Sequence, residues 1–421
     1  MRIRPESFIF TLFLSALGGI TPLSIDMGLP ALVSVGNSLH VSPAAAGLTL
    51  SFFLAGFALG PIALGPLSDR FGRRPVLLTG CTCFAIAGAG CAVAHSLPML
   101  LFWRLVEGVG AGAGSTLSLA IVRDLFDGKA ARVKLSYVGT IGTVAPMIAP
   151  TLGTIVLAWA GWRAIYATLS LAGLLLIVAV AWGFAESLPQ PDHTALEPRK
   201  LVTHYGRIFR NPVCLGYALV ASLNFGCMFS YISSSPLVMI GVLGVSRTYY
   251  GWTFAATALG IMAGAFVNGR LSARGVPASA LLSAGLSTSA LSGVSLVAIS
   301  LGGFAHLYTI LPLLMLNTFC SGLIGPNASQ GVLHPMPDIA GVASAAMGSM
   351  RMVAGALAGV LIAIFFDGHT AVAMACMMSL FSFASFSVYF LIVRPAERNA
   401  AGSAVDDSEE LSFASKGGEI L

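Results

Sequence analysis

GPLSDRFGRRPVLLTG, residues 65–80, crowds Asp69, Arg70, Arg73 and Arg74 between two long apolar runs at 44–66 and 75–94. A polar knot of that kind reads as a tight loop joining two helices whose own residues must leave water. The rest of the chain identifies the medium they enter. Of 421 residues, 56% are hydrophobic and only 9% charged, and the mean hydropathy is +0.87, whereas a soluble domain carries about 25% charged residues. The apolarity runs along nearly the whole chain rather than in one anchor, so the sequence predicts an all-α, multi-pass membrane protein with most of its mass in the bilayer.

A helix needs about 20 apolar residues to cross a bilayer. Twelve such spans are predicted, at 8–33, 44–66, 75–94, 98–122, 135–159, 163–185, 213–239, 248–269, 277–301, 307–332, 340–365 and 370–393. The opening MRIR and the run from Phe8 have the look of a signal peptide, but no small-x-small cleavage site opens onto a soluble domain and a second span follows at once; the first span is read as retained. Cytoplasmic loops keep lysine and arginine during insertion. With the N-terminus inside, Arg2, Arg4, the basic residues of the loop at 65–80, Arg123 to Lys134, Arg199 to Arg210, Arg270, Arg274, Arg394, Arg398 and Lys416 all fall on one face. Arg163 and Arg247 fall on the other, and Arg104 and Arg351 lie within spans. The sequence therefore predicts both termini in the cytosol, and the formal net charge of +5 reflects topology rather than nucleic-acid binding.

The longest polar interruption, 186–212, divides six spans from six. This gives an N-terminal lobe at 1–185, a cytoplasmic linker at 186–212 with a short basic surface helix over Leu196 to Phe209, a C-terminal lobe at 213–394, and a polar tail at 395–421, containing DDSEE, that is expected to be disordered. LSDRFG after the second span and LSARG (271–275) after the eighth form a weak internal repeat, as in two-lobed transporters. Several other signals lead nowhere. The seven cysteines are an odd set in apolar spans, no metal site is expected, and the histidines form no HExxH. GVGAGAGST (108–116) lacks the lysine of a phosphate loop; its Gly108/Gly112 and Gly110/Gly114 are small-xxx-small packing pairs, so no ATP site is expected. With no nucleophile motif or sizeable soluble domain, an enzyme is not expected.

The opening loop resembles the signature of the major facilitator superfamily, G-x-L-x-D-R-x-G-R-R, through Gly65, Leu67, Asp69, Arg70, Gly72, Arg73 and Arg74. The resemblance implies twelve helices in two six-helix lobes around a central cavity, and a cytoplasmic gate in which Asp69 faces the start of span eleven near Ile339 to Gly341. GTIGTVAPMIAPTLG in span five, with Gly142, Pro146, Pro150 and Gly153, resembles the bend of the antiporter branch, although Ala149 and Thr154 replace two of its glycines. IDMGLPAL, RLVEGVGAGAG, IVRDLF, GLIGPNASQGVL and GVASAAMGSMR are similar to segments of the Bcr/CflA-type drug:proton antiporters, with Gly28 in place of a tyrosine. That likeness implies a monomeric transporter of the cell (inner) membrane that exports small organic molecules against protons, with the proton as coupling ion and no bound cofactor. A proton-coupled importer or a dedicated metabolite exporter on the same scaffold is the alternative.

Four charges lie inside spans, where each is costly unless paired or facing water. A rise of about 1.5 Å per residue puts Asp26 roughly 27 Å from the inner start of span one, level with Arg104, and Glu107 near mid-membrane. An Asp26–Arg104 pair is therefore expected, with Asp26 as primary proton site, Arg104 as its modulator and Glu107 as a second proton site or substrate contact. The related antiporters commonly carry glutamine where this chain has Glu107 and Arg351. Two readings stay open: these residues face one cavity from opposite lobes, or each pairs within its own lobe. Asn224, Phe225, Tyr231 and Asn317 are further candidates for the cavity wall, with core packing as the alternative for each. The two acids and two arginines balance, which speaks against assuming a lipophilic cation as substrate.

Overall fold

Prolines and glycines decide where the helices of this protein bend and stop. The computed structural model describes residues 3–399, and every regular element among them is helical. The first helix, α1 (Phe8–Asp26), starts on Ser7, whose side chain accepts from the Phe10 amide, a standard N-cap. It stops at Asp26 because Pro30 has no N–H to return to the Asp26 carbonyl. After the 3-10 turn Leu29–Ala31 the chain resumes as α2 (Leu32–Leu39), so the first span runs Phe8–Leu39 and exceeds the expected 8–33. The second span is α3 (Pro43–Leu59), a wide π-type turn at Gly60–Leu64 and α4 (Gly65–Phe71). Pro61 accounts for that turn, since it removes one rung of the helical ladder.

Then follow α5 (Arg73–Ala92), α6 (Leu97–Leu125) and α7 (Gly128–Val178). The last is two helices meeting at Gly161, whose φ of 77° and ψ of 178° break the spiral; only glycine adopts that geometry without strain. Gly161 thus divides span five from span six within the expected gap between 159 and 163, and with those two taken together the twelve expected spans occupy eleven membrane-length helical stretches among the described residues. The remaining helices are α8 (Pro198–Arg210), α9 (Pro212–Pro236), α10 (Arg247–Ala273), α11 (Ala278–Leu301), α12 (Leu307–Leu333), α13 (Ala340–Phe365) and α14 (Val372–Val388).

Helices α1, α3, α5, α6 and α7 pack on one another, as do α9 to α14, which makes two lobes; α3 against α13 and α7 against α10 join them. Within the first lobe α6 is the central post, and its glycines are the reason. A methyl at Gly108 would lie 2.0 Å from the Phe53 carbonyl oxygen of α3, one at Gly110 would lie 2.6 Å from that of Gly80 on α5, and one at Gly114 would lie 2.7 Å from that of Leu17 on α1. The small-xxx-small reading of this stretch therefore holds, with three neighbours served by one helix. Gly108→Val is expected to force α3 and α6 apart at a cost of about 3 kcal/mol or more. The check is detergent size-exclusion profile and melting temperature; a monodisperse variant melting with the wild type would contradict it.

Two boundaries differ from expectation. The linker helix is α8, Pro198–Arg210, with Ile208 buried against Cys214 and Val332 of the second lobe while Val202 and Phe209 are exposed. Arg207 donates to Asp338 at 2.7 Å, ahead of α13, and that bond holds the Asp338 carboxyl below the usual carboxylate range. The chain end does not turn irregular at Pro395: a π-type turn at Tyr389–Val393 carries the helix on to Asn399, where Tyr217 donates to Glu397 at 2.6 Å. The wide turn absorbs the donor that Pro395 lacks. The rest of the expected tail, including DDSEE, lies outside the described residues.

Candidate functional site

Between the lobes lies a cavity of about 370 Å³. Its first-lobe wall is α1, through Gly18, Thr21, Pro22 and Asp26, with Phe57, Ser115 and Pro146. Its second-lobe wall is aromatic and sulfurous: Phe225 stacks on Phe229 at 6.0 Å and Tyr231 on Phe254 at 6.1 Å, beside Met228 and Met352. At the far end, away from the signature loop, Ala44, Leu237 and Ile362 bring the lobes together with Phe366 and Met377. Pro22 deprives the Gly18 carbonyl of its partner, so α1 presents loosened backbone to this space.

Asp26 is the one charged residue on that wall among the described residues, and it is 4% exposed. Its Oδ1 is buried with no hydrogen-bond partner. The expected Asp26–Arg104 pair is absent. Arg104 Nη1 instead donates to Glu107 Oε2 at 2.9 Å, one turn along its own helix, and to Ser24 Oγ at 3.1 Å. Its Nε reaches the Thr49 carbonyl oxygen at 3.2 Å and Nη2 that of Ser24 at 3.2 Å, with the guanidinium 4.4 Å from the centre of the Phe53 ring. Glu107 also accepts from Ser24 Oγ at 2.6 Å and from the Cys91 thiol at 3.7 Å. The pair is 1% and 0% exposed by side chain.

The physical reason is local. An i, i+3 partner on the same helix is always within reach, whereas Asp26 is the last residue of α1 and lines the cavity. Glu107 is accordingly sealed inside the first lobe and does not line the cavity, against its expected role as a substrate contact. Among the described residues no ion pair joins it to Arg351. Of the two readings left open, Glu107 follows the one in which it pairs within its lobe, while Arg351 has no ion-pair partner among the described residues.

The other candidates divide. Phe225 and Tyr231 line the cavity, and the Tyr231 hydroxyl is bonded to that of Thr257 at 2.9 Å. Asn224 is buried and accepts from Ser321 at 3.2 Å, while Asn317 donates to Ser289 at 3.0 Å and accepts from Cys227; neither belongs to the cavity wall, so both are packing residues of the second lobe. Pro146 lines the cavity, and Gly153 lets α7 meet α1 so closely that a methyl there would fall 2.2 Å from the Met27 carbonyl oxygen. The surroundings of Gly142 lie outside what is described.

The family model described as Major Facilitator Superfamily matches residues 12–359. The chain belongs to that superfamily. It is 29% identical over 366 residues to the bicyclomycin resistance protein homolog of Haemophilus influenzae, covering 86% of this chain and 91% of that protein. It is 30% identical over 342 residues to the multidrug resistance protein MdtL of Shewanella sp. (strain ANA-3), covering 80% and 84%. The crystal structure of a D-xylose-proton symporter matches with a TM-score of 0.67 at 17% identity, over 91% of this chain and 98% of that one; this likeness concerns the fold. Superfamily and fold make the protein a multi-pass membrane transporter rather than an enzyme.

The superfamily's signature loop is more elaborate here than its own residues suggest. Gly72 turns the chain at φ 98°, and the Arg73 that follows bridges two acids, Asp69 at 2.5 Å and Asp124 at 2.8 Å. Glu186, the first residue of the linker, accepts from the Arg73 and Arg74 amides at 2.8 and 3.0 Å and so caps α5. Arg74 donates to the Ala181 carbonyl at 2.6 Å, and Arg70 lies over the Phe71 ring. Gly65, Asp69, Arg73 and Arg123 share a cavity of about 230 Å³ with Gly341, Val342 and Ala345 of α13. Asp69 thus lines one space with the start of span eleven, while its carboxylate is bonded to Arg73. Asp124 and Glu186 escaped the sequence reading; the acid in IVRDLF was visible, but nothing marked its partner.

Proposed function

We propose that this protein exports small organic molecules across the cell inner membrane in exchange for protons, by alternating access, acting as a monomer with both termini in the cytoplasm. The observation that carries the reading is Asp26, a buried carboxylate with an unpartnered oxygen on the wall of a mostly apolar cavity between the lobes, where the other polar groups are uncharged. An ionised carboxylate so placed is costly until a proton or a ligand donor reaches it. Proton and substrate thus compete for the same small volume, which is the requirement for exchange. The resistance names of the two relatives support export of drug-like compounds. The paired prolines of α7 beside the cavity suit a lobe that must flex, and the one-sided distribution of lysine and arginine supports the orientation. No cofactor is required, the proton being the coupling ion.

The test is a panel of drugs and metabolites offered to inverted vesicles with an established proton gradient. Uptake that collapses when the gradient is dissipated, for at least one compound, is the expected result. Uptake into intact cells with protons moving the same way would replace export by import.

A further inference from the structure

Arg351 is, with Asp26, one of two charges inside the spans that have no ion-pair partner among the described residues. It lies on α13, eleven residues into a 26-residue helix, so about 16 Å from the loop-side end and too deep for a simple reach to the interface. Its Nε is shielded from solvent without a hydrogen-bond partner, and among the described residues none of its nitrogens has an acceptor or a carboxylate within bonding distance. The contrast with Arg104, satisfied by a carboxylate, two carbonyls, a hydroxyl and a ring, is complete. A half-buried guanidinium at membrane depth without an anion is unfavourable by itself, so the fold leaves a recognition group unspent.

The direction of the side chain shows where its anion would come from. A methyl built at Gly325 of α12 would lie 3.7 Å from Arg351 Nη2. Gly325 is seven residues past Thr318, hence two turns along the same helix face, and Thr318 lines the inter-lobe cavity. The guanidinium therefore rests on the cavity-facing stripe of α12, over a residue with no side chain to obstruct it, two turns nearer the signature loop than the cavity wall at Thr318. Its neighbour Met352 lines the same cavity. Asp26, the acid that would repel an anion, stands toward the other end.

We infer that Arg351 is a substrate-recognition residue that binds an acid group, and that this transporter takes amphiphilic organic anions, their carboxylate or equivalent on Arg351 and their apolar body among the aromatic rings. The inference rests on the export reading above for the direction of transport, and on the geometry alone for binding. A guanidinium matches a carboxylate in a two-point geometry that lysine cannot reproduce.

The experiment measures binding to the purified full-length protein in detergent at neutral pH, using dansylated amino acids and their carboxamides as probes. For at least one pair the wild type is expected to bind the acid more tightly than the amide by about tenfold or more. Arg351→Gln is expected to bring that ratio close to one, and Arg351→Lys to leave it in between. Because the ratio is taken within one sample, a partly unfolded variant lowers both affinities without altering it. Two results overturn the inference: no pair in which the wild type prefers the acid, or a preference that survives Arg351→Gln. Proton-driven transport of the same probes is scored separately; its failure with acid binding intact would strike the export reading alone.

Discussion

Asp26→Asn is expected to reduce proton-driven uptake into inverted vesicles to the level of vesicles without the protein, while exchange of labelled for unlabelled substrate across the same membrane continues. Asparagine matches aspartate in shape but cannot gain or lose a proton, so the cavity keeps its form and loses its titratable group. The position makes the effect large. Asp26 closes α1 at the point where Pro30 withdraws a backbone donor, its Oδ1 has no protein partner, and the rest of the cavity wall offers no second acid among the described residues. Nothing nearby can take over the exchange. Asp26→Glu, which keeps the proton and shifts it by one methylene, is expected to retain part of the coupled activity. Full proton-driven transport by the asparagine variant would remove Asp26 from the mechanism.

The second large effect concerns stability. Glu107→Gln leaves the Arg104 cation enclosed by carbonyls, a hydroxyl and a ring but without a neutralising charge, and Arg104→Gln leaves the opposite fault. Breaking one side of a buried ion pair costs about 3–5 kcal/mol, whereas removing both charges together is often close to neutral. Each single variant is therefore expected to melt well below the wild type in detergent, and Arg104→Gln/Glu107→Gln to recover most of the loss. A cycle in which the two single effects simply add would show that the pair is not coupled and that its 2.9 Å geometry carries no stability of its own. The same cycle separates this pair from the cavity: a role confined to the lobe alters melting without altering the proton dependence of whatever transport remains.

The residues explain how much of this could be read from sequence. Membrane spans follow from hydropathy because the bilayer imposes a length, and the loop at 65–80 was legible because a fixed acid, glycines and arginines have no other common use between two apolar runs. The glycines of α6 were legible for a similar reason, since small residues at helical spacing leave few roles besides close packing. Partner choice was not. Arg104 has acids at two plausible levels, and rise per residue along one helix says nothing of its rotation or of the turn that ends α1. Ser24 and Thr49, which complete the arginine's shell, are ordinary small polar residues in apolar spans and carry no signal. The boundary between spans five and six was legible, since the expected gap between 159 and 163 brackets Gly161, the residue at which the two helices meet.

The seam between α3 and α13 sets the kind of motion the two lobes can make. Ser349 donates to the Ala58 carbonyl at 2.6 Å across it, and farther along a methyl at Gly355 would fall 2.8 Å from Leu54 and one at Gly359 would fall 2.2 Å from the Ser51 hydroxyl. Surfaces this near have no clearance for one helix to slide lengthwise past the other, because each step of about 1.5 Å would drive a side chain into backbone. They can still roll. The Ala58–Ser349 contact then serves as a fulcrum, and small angular changes about it become ångström displacements at both mouths of the cavity, with the helices themselves remaining rigid.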